Sequence, residues 1–462
     1  MFTIDRHDRN RFLLVLAIAL LVRGAVVMFS PQAFAGDPDA YRVIAETLAS
    51  HGVYGVAISD VPPKPTAFRP PLYPYLLSWL TPSKTGQLSL WAVGFLHTIL
   101  GALTVVLTVW VASRLIDGGR VGTASLLAGL LVLVDPILVQ LSTQVMTETL
   151  AVLLSIAVVA WWVGQVASAN ERRGFGRFVV LSALLAIAYL CRPTFLVWAM
   201  MLIVGSFFVM RKIDFSSRLA RVVLTASLMF VAIAGWTWRN AQSVGHPIWA
   251  TSHGGYTLLL ANNESFYNYL RDGKWGEPWD AVPFLEAYGH RYDGDPNEAE
   301  FWQRDWSTFE ANAKSHFASV TEHSDDQRCY HAARATIDRQ PMMFVWSCFV
   351  RVGRLWSPMP HHSPGRGRTK VIAVGVYYLT MYVAVLVALW RFRHQVFAAR
   401  WWAIWTLAIT LSGVHAVYWT NIRMRAPIIP ALAILAAGAM VDPRRHTPKT
   451  TGTQEAGDVA ND

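Results

Sequence analysis

The sequence predicts an all-α polytopic membrane protein: about ten transmembrane helices, several interfacial helices and a small, mostly helical outer-face domain. Three observations predict it. Hydrophobic residues make up 53% of the 462 and charged residues only 15%, with a mean hydropathy of +0.32, which is the balance of a bilayer protein. The hydrophobicity falls in blocks of roughly 17 to 25 residues, each long enough to cross a hydrocarbon core of roughly 30 Å as a helix. Lys and Arg are dealt out among alternate connecting loops rather than gathered on one face.

The blocks place spans near residues 11–29, 88–113, 121–140, 148–167, 177–191, 194–210, 221–239, 371–390, 401–419 and 426–441. Basic loops stay cytoplasmic. Arg6, Arg9 and Arg11 precede the first span, and Arg114 and Arg120 follow the second. Arg172, Arg173 and Arg177, then Arg211, Lys212, Arg218 and Arg221, follow in alternate loops. The N-terminus is therefore expected inside, with residues 30–87, 141–147 and 240–370 outside. Residues 241–340 carry 15 Asp and Glu against 8 Lys and Arg, which agrees with that phase. The net charge of +10 is then topology, and nucleic-acid binding is not expected. The organisation read from this is a bundle over 1–240 with a long first outer loop at 30–87, an outer-face region at 241–370, C-terminal spans at 371–441, and a disordered cytoplasmic tail at 442–462. Met342 to Trp356 is apolar but short and carries Arg351 and Arg354, so it reads as a half-inserted or surface-lying helix.

The Arg-rich start, the apolar run Leu13–Val22 and Ala33-Phe34-Ala35 imitate a cleaved signal peptide, but the apolar run resumes past Arg23 to Phe29 and is long enough to span. Cys191, Cys329 and Cys348 form no disulfide framework or zinc spacing. There is no internal repeat, P-loop, GxSxG, HExxH or dinucleotide fingerprint, so ATP-driven transport and the common hydrolase chemistries lack support.

Chemistry-bearing residues gather at the expected outer boundary. Gly36-Asp37-Pro38-Asp39-Ala40-Tyr41 opens an amphipathic helix with Tyr41, Ile44, Ala45 and Leu48 on one face, ended by His51-Gly52. Pro38 suits its first position and Asp39 its first turn. Asp37 or Asp39 reads either as a helix cap or as a catalytic carboxylate. In Phe68-Arg69-Pro70-Pro71-Leu72-Tyr73-Pro74, Arg69 reads as a headgroup anchor or as a phosphate contact suited to a guanidinium fork. Thr147-Glu148 opens the fourth span, where a carboxylate either caps or enters the bundle to function. Arg192 closes the fifth span and Trp238-Arg239-Asn240 the seventh. His253 lies in the Gly-rich turn 251–256, either ordinary loop or ligand cradle. Arg423 and Arg425, before Pro427, run against the positive-inside rule and favour an anionic outer-face ligand over simple snorkelling.

In this order the motifs resemble the GT-C superfamily of polytopic glycosyltransferases, in the branch of the protein O-mannosyltransferases and the lipid A aminoarabinose transferases. The motifs are Asp37 with Tyr41, Arg69 to Pro74, Thr147-Glu148, Arg239-Asn240, and Arg423 with Arg425. The resemblance covers most of residues 11–441. It implies a helical bundle under an outer domain in a bacterial plasma membrane, with the active site between them on the outer side. It also implies transfer of a sugar, with inversion, from a polyprenyl-phosphate carrier to a lipid, glycan or protein acceptor. Asp37 matches the catalytic aspartate, with Asp39 second, and Arg69 the contact to the carrier phosphate. Arg192, Arg239, Arg423, Arg425, Tyr41 and His253 are the further substrate-binding candidates, and Glu148 would orient the acceptor or Asp37. Phe68 stands where some aminoarabinose-type enzymes have a metal-binding glutamate, so no metal ligand is assigned; a divalent metal is possible but these residues do not support it, and no other cofactor is assigned. A secondary transporter or flippase is a rival reading, as is another lipid-linked enzyme such as a polymerase, ligase or acyltransferase.

Overall fold

The computed structural model describes residues 5–58, 61–82, 85–166, 176–209, 214–273, 277–309, 320–360 and 367–441. The expected tail and the basic loop at Arg172 and Arg173 lie outside them. The chain is mostly helical. α1 (Arg6–Met28) leads into a first loop holding α2 (Tyr41–His51) and α3 (Leu72–Ser78). Gly52, at φ 69°, closes α2 by donating its N–H to Leu48 O, a left-handed cap that glycine permits.

The bundle continues with α4 (Leu90–Leu115), α5 (Thr123–Val134), α6 (Pro136–Leu141), α7 (Glu148–Val166), α8 (Gly176–Cys191), α9 (Phe195–Val209) and α10 (Phe215–Val244). A small domain follows, made of α11 (Gly254–Ala261), α12 (Glu264–Asp272), α13 (Val282–Gly289), α14 (Ala299–Gln303) and α15 (Glu322–Arg339). α16 (Pro341–Leu355), α17 (Arg368–Arg391), α18 (Trp402–Val417), the 3₁₀ turn Ile422–Ile428 and α19 (Ile429–Gly438) complete the chain. α1 packs closely on α4 because Gly94 and Gly101 leave room for Val27 and Arg23, the small-residue packing of helices in lipid.

Among the described residues, α1, α4, α7, α10 and α17 are long and apolar enough to cross a membrane, and α5, α8 and α9 are shorter apolar helices. The span expected over 121–140 is two helices. Asp135 breaks it by accepting from Ile137 N (3.0 Å) and Leu138 N (2.9 Å), and Pro136 takes the first position of α6. The last expected span is likewise a 3₁₀ turn followed by a ten-residue helix.

The first loop also holds the one ribbon among the described residues. β1 (Gly55–Ile58) pairs antiparallel with β2 (Val61–Pro65), a ribbon that the all-α expectation does not contain. Prolines are tolerated in β2 because a two-stranded ribbon has only edge strands. The small domain has its own core of Phe284, Phe301, Trp302, Trp306, Cys329, Ala332 and Ala333, separate from the bundle's. α16 turns Met342, Trp346 and Phe349 outward and buries Arg351. That side chain donates to Ala261 O and Ala416 O, each at 2.6 Å, so it satisfies terminal carbonyls of α11 and α18.

Candidate active site

Asp37, Pro38 and Asp39 lie outside α2, which starts three residues later than the sequence suggested. Ala40 takes a left-handed conformation, φ 59°, and donates its N–H to Asp37 O (3.2 Å), so the segment is a tight turn. Asp37 Oδ2 accepts from Val43 N at 3.1 Å and thus caps the helix across that turn. Its second oxygen, Oδ1, is buried and has no hydrogen-bond partner among the described residues. One carboxylate oxygen builds structure and the other is left for something else.

Arg69 approaches from the other end of the first loop. Its Nε donates to Asp39 O and its Nη2 to Asp39 Oδ1, both at 2.7 Å. The guanidinium carbon lies 4.4 Å from the centre of the Phe68 ring and 5.5 Å from that of Tyr41, which restrict the fork. Tyr41 is itself fixed edge-on against Tyr73 at 5.3 Å.

Glu148, the first residue of α7, is only 2% exposed. Arg192, just past α8, places Nη2 3.2 Å from its Oε1, and Arg423 places Nε 3.1 Å from the same oxygen. Arg423 also lies 3.9 Å from Asp39 Oδ2. Ser155, two turns along α7 from Glu148, donates to Pro427 O at 2.6 Å. That bond clamps the 422–428 turn to α7 and sets Arg423 against Glu148. Arg69, Asp39, Arg423, Glu148 and Arg192 thus alternate in one network drawn from four parts of the chain.

Three guanidiniums face two carboxylates in it, a local excess of guanidinium forks that suits an anionic ligand. Among the described residues no three His, Cys, Asp or Glu side chains converge as a metal site would require.

Three candidates sit elsewhere. Arg425 is fully buried, donates to Leu355 O (3.0 Å) and Ser357 O, and lies 4.0 Å over the Tyr378 ring. It faces the interior near Asp135, away from the network. Arg239 donates to Thr66 O and Tyr54 O, each at 2.7 Å, and ties down both strands at the open end of the ribbon. His253 packs edge-on to Phe68 (4.6 Å) and stacks on Tyr256 (5.0 Å). Burial, with Arg69 nearby, pushes its imidazole down to about 3, so it backs Phe68 as a neutral ring.

Sequence reasoning missed Asp135 and Glu322. Asp135 followed by proline is a cap-and-restart signal inside an apolar run. Glu322 carries no comparable mark, because its partners lie far away in sequence.

No protein-family model matches the sequence, and no curated protein matches it. Solved structures do. The chain superposes over 94% of its length on the archaeal oligosaccharyltransferase AglB from Archaeoglobus fulgidus, solved in complex with an inhibitory peptide and a dolichol-phosphate, with TM-score 0.50 and 14% identity. The chain shares the fold of the part of that protein it covers. It spans about half the length of that oligosaccharyltransferase, 50%. ArnT from Cupriavidus metallidurans bound to undecaprenyl phosphate is also similar, at TM-score 0.43 and 14% identity over 93% of this chain and 77% of that one. The five helices long and apolar enough to cross a bilayer mark the chain as an integral membrane protein, and the charged network lies where its first loop meets the start of α7, the end of α8 and the 3₁₀ turn before α19.

Proposed function

We propose that the protein is a glycosyltransferase that moves a sugar, with inversion, from a polyprenyl-phosphate carrier to a lipid, glycan or protein acceptor. The observation that carries this reading is the network's excess of one guanidinium over its carboxylates, beside a carboxylate oxygen with no partner among the described residues. Arg69, Arg423 and Arg192 receive the carrier phosphate. Asp39 and Glu148, whose oxygens already face guanidiniums, hold those arginines in place. Asp37 is the base.

In the transfer the acceptor hydroxyl oxygen attacks the anomeric carbon and its proton passes to Asp37 Oδ1. The bond from that carbon to the phosphate oxygen breaks, and polyprenyl phosphate leaves with its electron pair. The guanidiniums stabilise the charge that grows there. Removing one such group costs on the order of 10²–10³ in kcat. On this reading the arginines do the electrostatic work and no metal is required. The chain crosses the bilayer about ten times, in a bacterial plasma membrane with both termini in the cytoplasm and the site on the outer side. That depth keeps the isoprenoid in lipid while the phosphate reaches the arginines.

The test is donor consumption by the purified protein with labelled polyprenyl-phosphate sugars, with and without EDTA. Turnover that EDTA leaves unchanged is expected. Absence of turnover with every donor contradicts the reading, and loss of turnover with EDTA contradicts its metal-free form.

A further inference from the structure

Residues 66–69 run along the seam between the bundle and the small domain, and one side chain from the small domain holds them. Glu322 Oε2 accepts from Ala67 N at 3.0 Å and from Ser252 Oγ at 2.7 Å, and Oε1 accepts from the Thr66 hydroxyl. Ser252 N donates to Ala67 O at 3.0 Å, so both backbone polar groups of Ala67 are bound by the small domain. Phe68 N donates to Thr66 Oγ1 at 2.9 Å, which carries the restraint one residue further. The next residue is Arg69.

Glu322 acts through hydrogen bonds, and the Arg239 charge reaches it only at longer range. No Lys or Arg lies within 4.0 Å of its carboxylate among the described residues. It opens α15, where the helix dipole favours a negative charge. Three donors on two other segments share this one acceptor group, and a half-satisfied buried network is costly. Loss of the carboxylate therefore frees the Ala67 N–H and two hydroxyls together.

We infer that Glu322 is a positioning residue for Arg69: the small domain uses its carboxylate to fix the loop that carries the phosphate-binding guanidinium. This rests on the proposed donor role of Arg69 for its kinetic consequence, but the restraint itself is independent of that role. The small domain then tunes donor binding without touching the donor.

The experiment compares Glu322→Ala, Glu322→Gln, Arg69→Ala and the double variant Glu322→Ala/Arg69→Ala, in the full chain reconstituted in lipid. Glu322→Ala is expected to raise the donor KM about tenfold with kcat within about twofold. Glu322→Gln keeps an acceptor for Ala67 N and is expected to restore most of the loss. In the Arg69→Ala background, Glu322→Ala is expected to add nothing. An undiminished Glu322→Ala effect in that background overturns the inference, as does an unchanged KM in a folded protein that turns over donor. Amide hydrogen exchange at residues 67–69 gives a second readout that needs no activity. Protection lost in Glu322→Ala and kept in Glu322→Gln supports the restraint, and unchanged protection overturns it. If the wild-type protein consumes no donor, the transferase reading fails and the exchange result alone decides the restraint. Should Glu322→Ala fail to insert, Ser252→Ala removes one of the three bonds and is read by the same two measurements.

Discussion

Arg69 holds Asp39 at two points, donating Nε to its backbone carbonyl and Nη2 to its carboxylate, both at 2.7 Å. The pair brings together residues of the first loop on either side of α2 and the ribbon, 30 apart in sequence. It also assigns different work to neighbouring carboxylates. Asp39 faces Arg69 and Arg423, whereas Asp37 turns one oxygen to a helix amide and leaves the other without a partner among the described residues.

A lysine at position 69 keeps the charge but loses the fork. Because the Asp39 carbonyl and carboxylate are met by two different nitrogens, Arg69→Lys is expected to lower kcat/KM for the lipid donor at least tenfold, about 1.4 kcal/mol. Steady-state kinetics in lipid bilayers check this. Wild-type kinetics with lysine would show that a point charge suffices and that the two-point contact is incidental.

Glu148 is buried between Arg192 and Arg423, so Glu148→Gln leaves two guanidiniums short of a counter-charge. A stability loss of about 3–5 kcal/mol is expected, read as a lower thermal or denaturant midpoint. Removing Arg423 as well is expected to recover part of it, because the two groups share one interaction. Strictly additive losses would mean that Arg423 and Glu148 do not depend on one another.

Arg425 gives the contrasting case. Its bonds run to Leu355 O and Ser357 O and its face lies over Tyr378, so Arg425→Met is expected to lower the unfolding midpoint while the folded fraction keeps its donor KM. Arg423→Met is expected to do the reverse, with the larger change in KM. A selective rise in donor KM for Arg425→Met would place it back in the site.

His253 sets a pH dependence outside the membrane. Its imidazole is held down to about 3, below the usual 6.5, so the unfolded chain binds the extra proton first. The stability this contributes is complete above pH 6.5 and is lost progressively as pH falls toward 3, by at most about 1.4 kcal/mol per pH unit. Asp326, which burial raises to about 6, works in the opposite sense, its contribution fading as pH rises from about 4 to 6. The clean measurement is the difference in unfolding midpoint between wild type and His253→Gln. That difference is expected to shift against the wild type between pH 7 and 5, and a pH-independent difference would contradict the assignment.

Much of this was legible in the sequence, and for physical reasons. Long apolar runs left α1, α4, α7, α10 and α17 little alternative to helix, and the period of Tyr41, Ile44 and Ala45 marked the buried face of α2. Glu148, Arg192 and Arg423 stand out as charge at span ends, and Asp39 and Arg69 as charge in the motifs of the first outer loop; the structure brings all five together. Arg425 was grouped with them by adjacency. A 3₁₀ turn separates neighbours' directions, and that cannot be read from spacing assumed to be α-helical. The Pro-rich β2 was invisible because prolines argue against strands wherever a second partner is assumed. Glu322 was out of reach for another reason: its meaning comes from Thr66, Ala67 and Ser252, and only the folded chain brings those to it.

The central claim is that Asp37 accepts the acceptor proton while the arginine network holds the lipid phosphate. It is tested most directly by turnover of labelled polyprenyl-phosphate sugars by wild type and Asp37→Asn, with equal amounts of each correctly inserted. The asparagine keeps a carbonyl oxygen to cap Val43 N, so the fold is retained while the base is lost. The account predicts donor consumption by the wild type and a fall of at least 10²-fold in kcat for the variant, with donor KM little changed. Asp37→Asn turning over at the wild-type rate would contradict it.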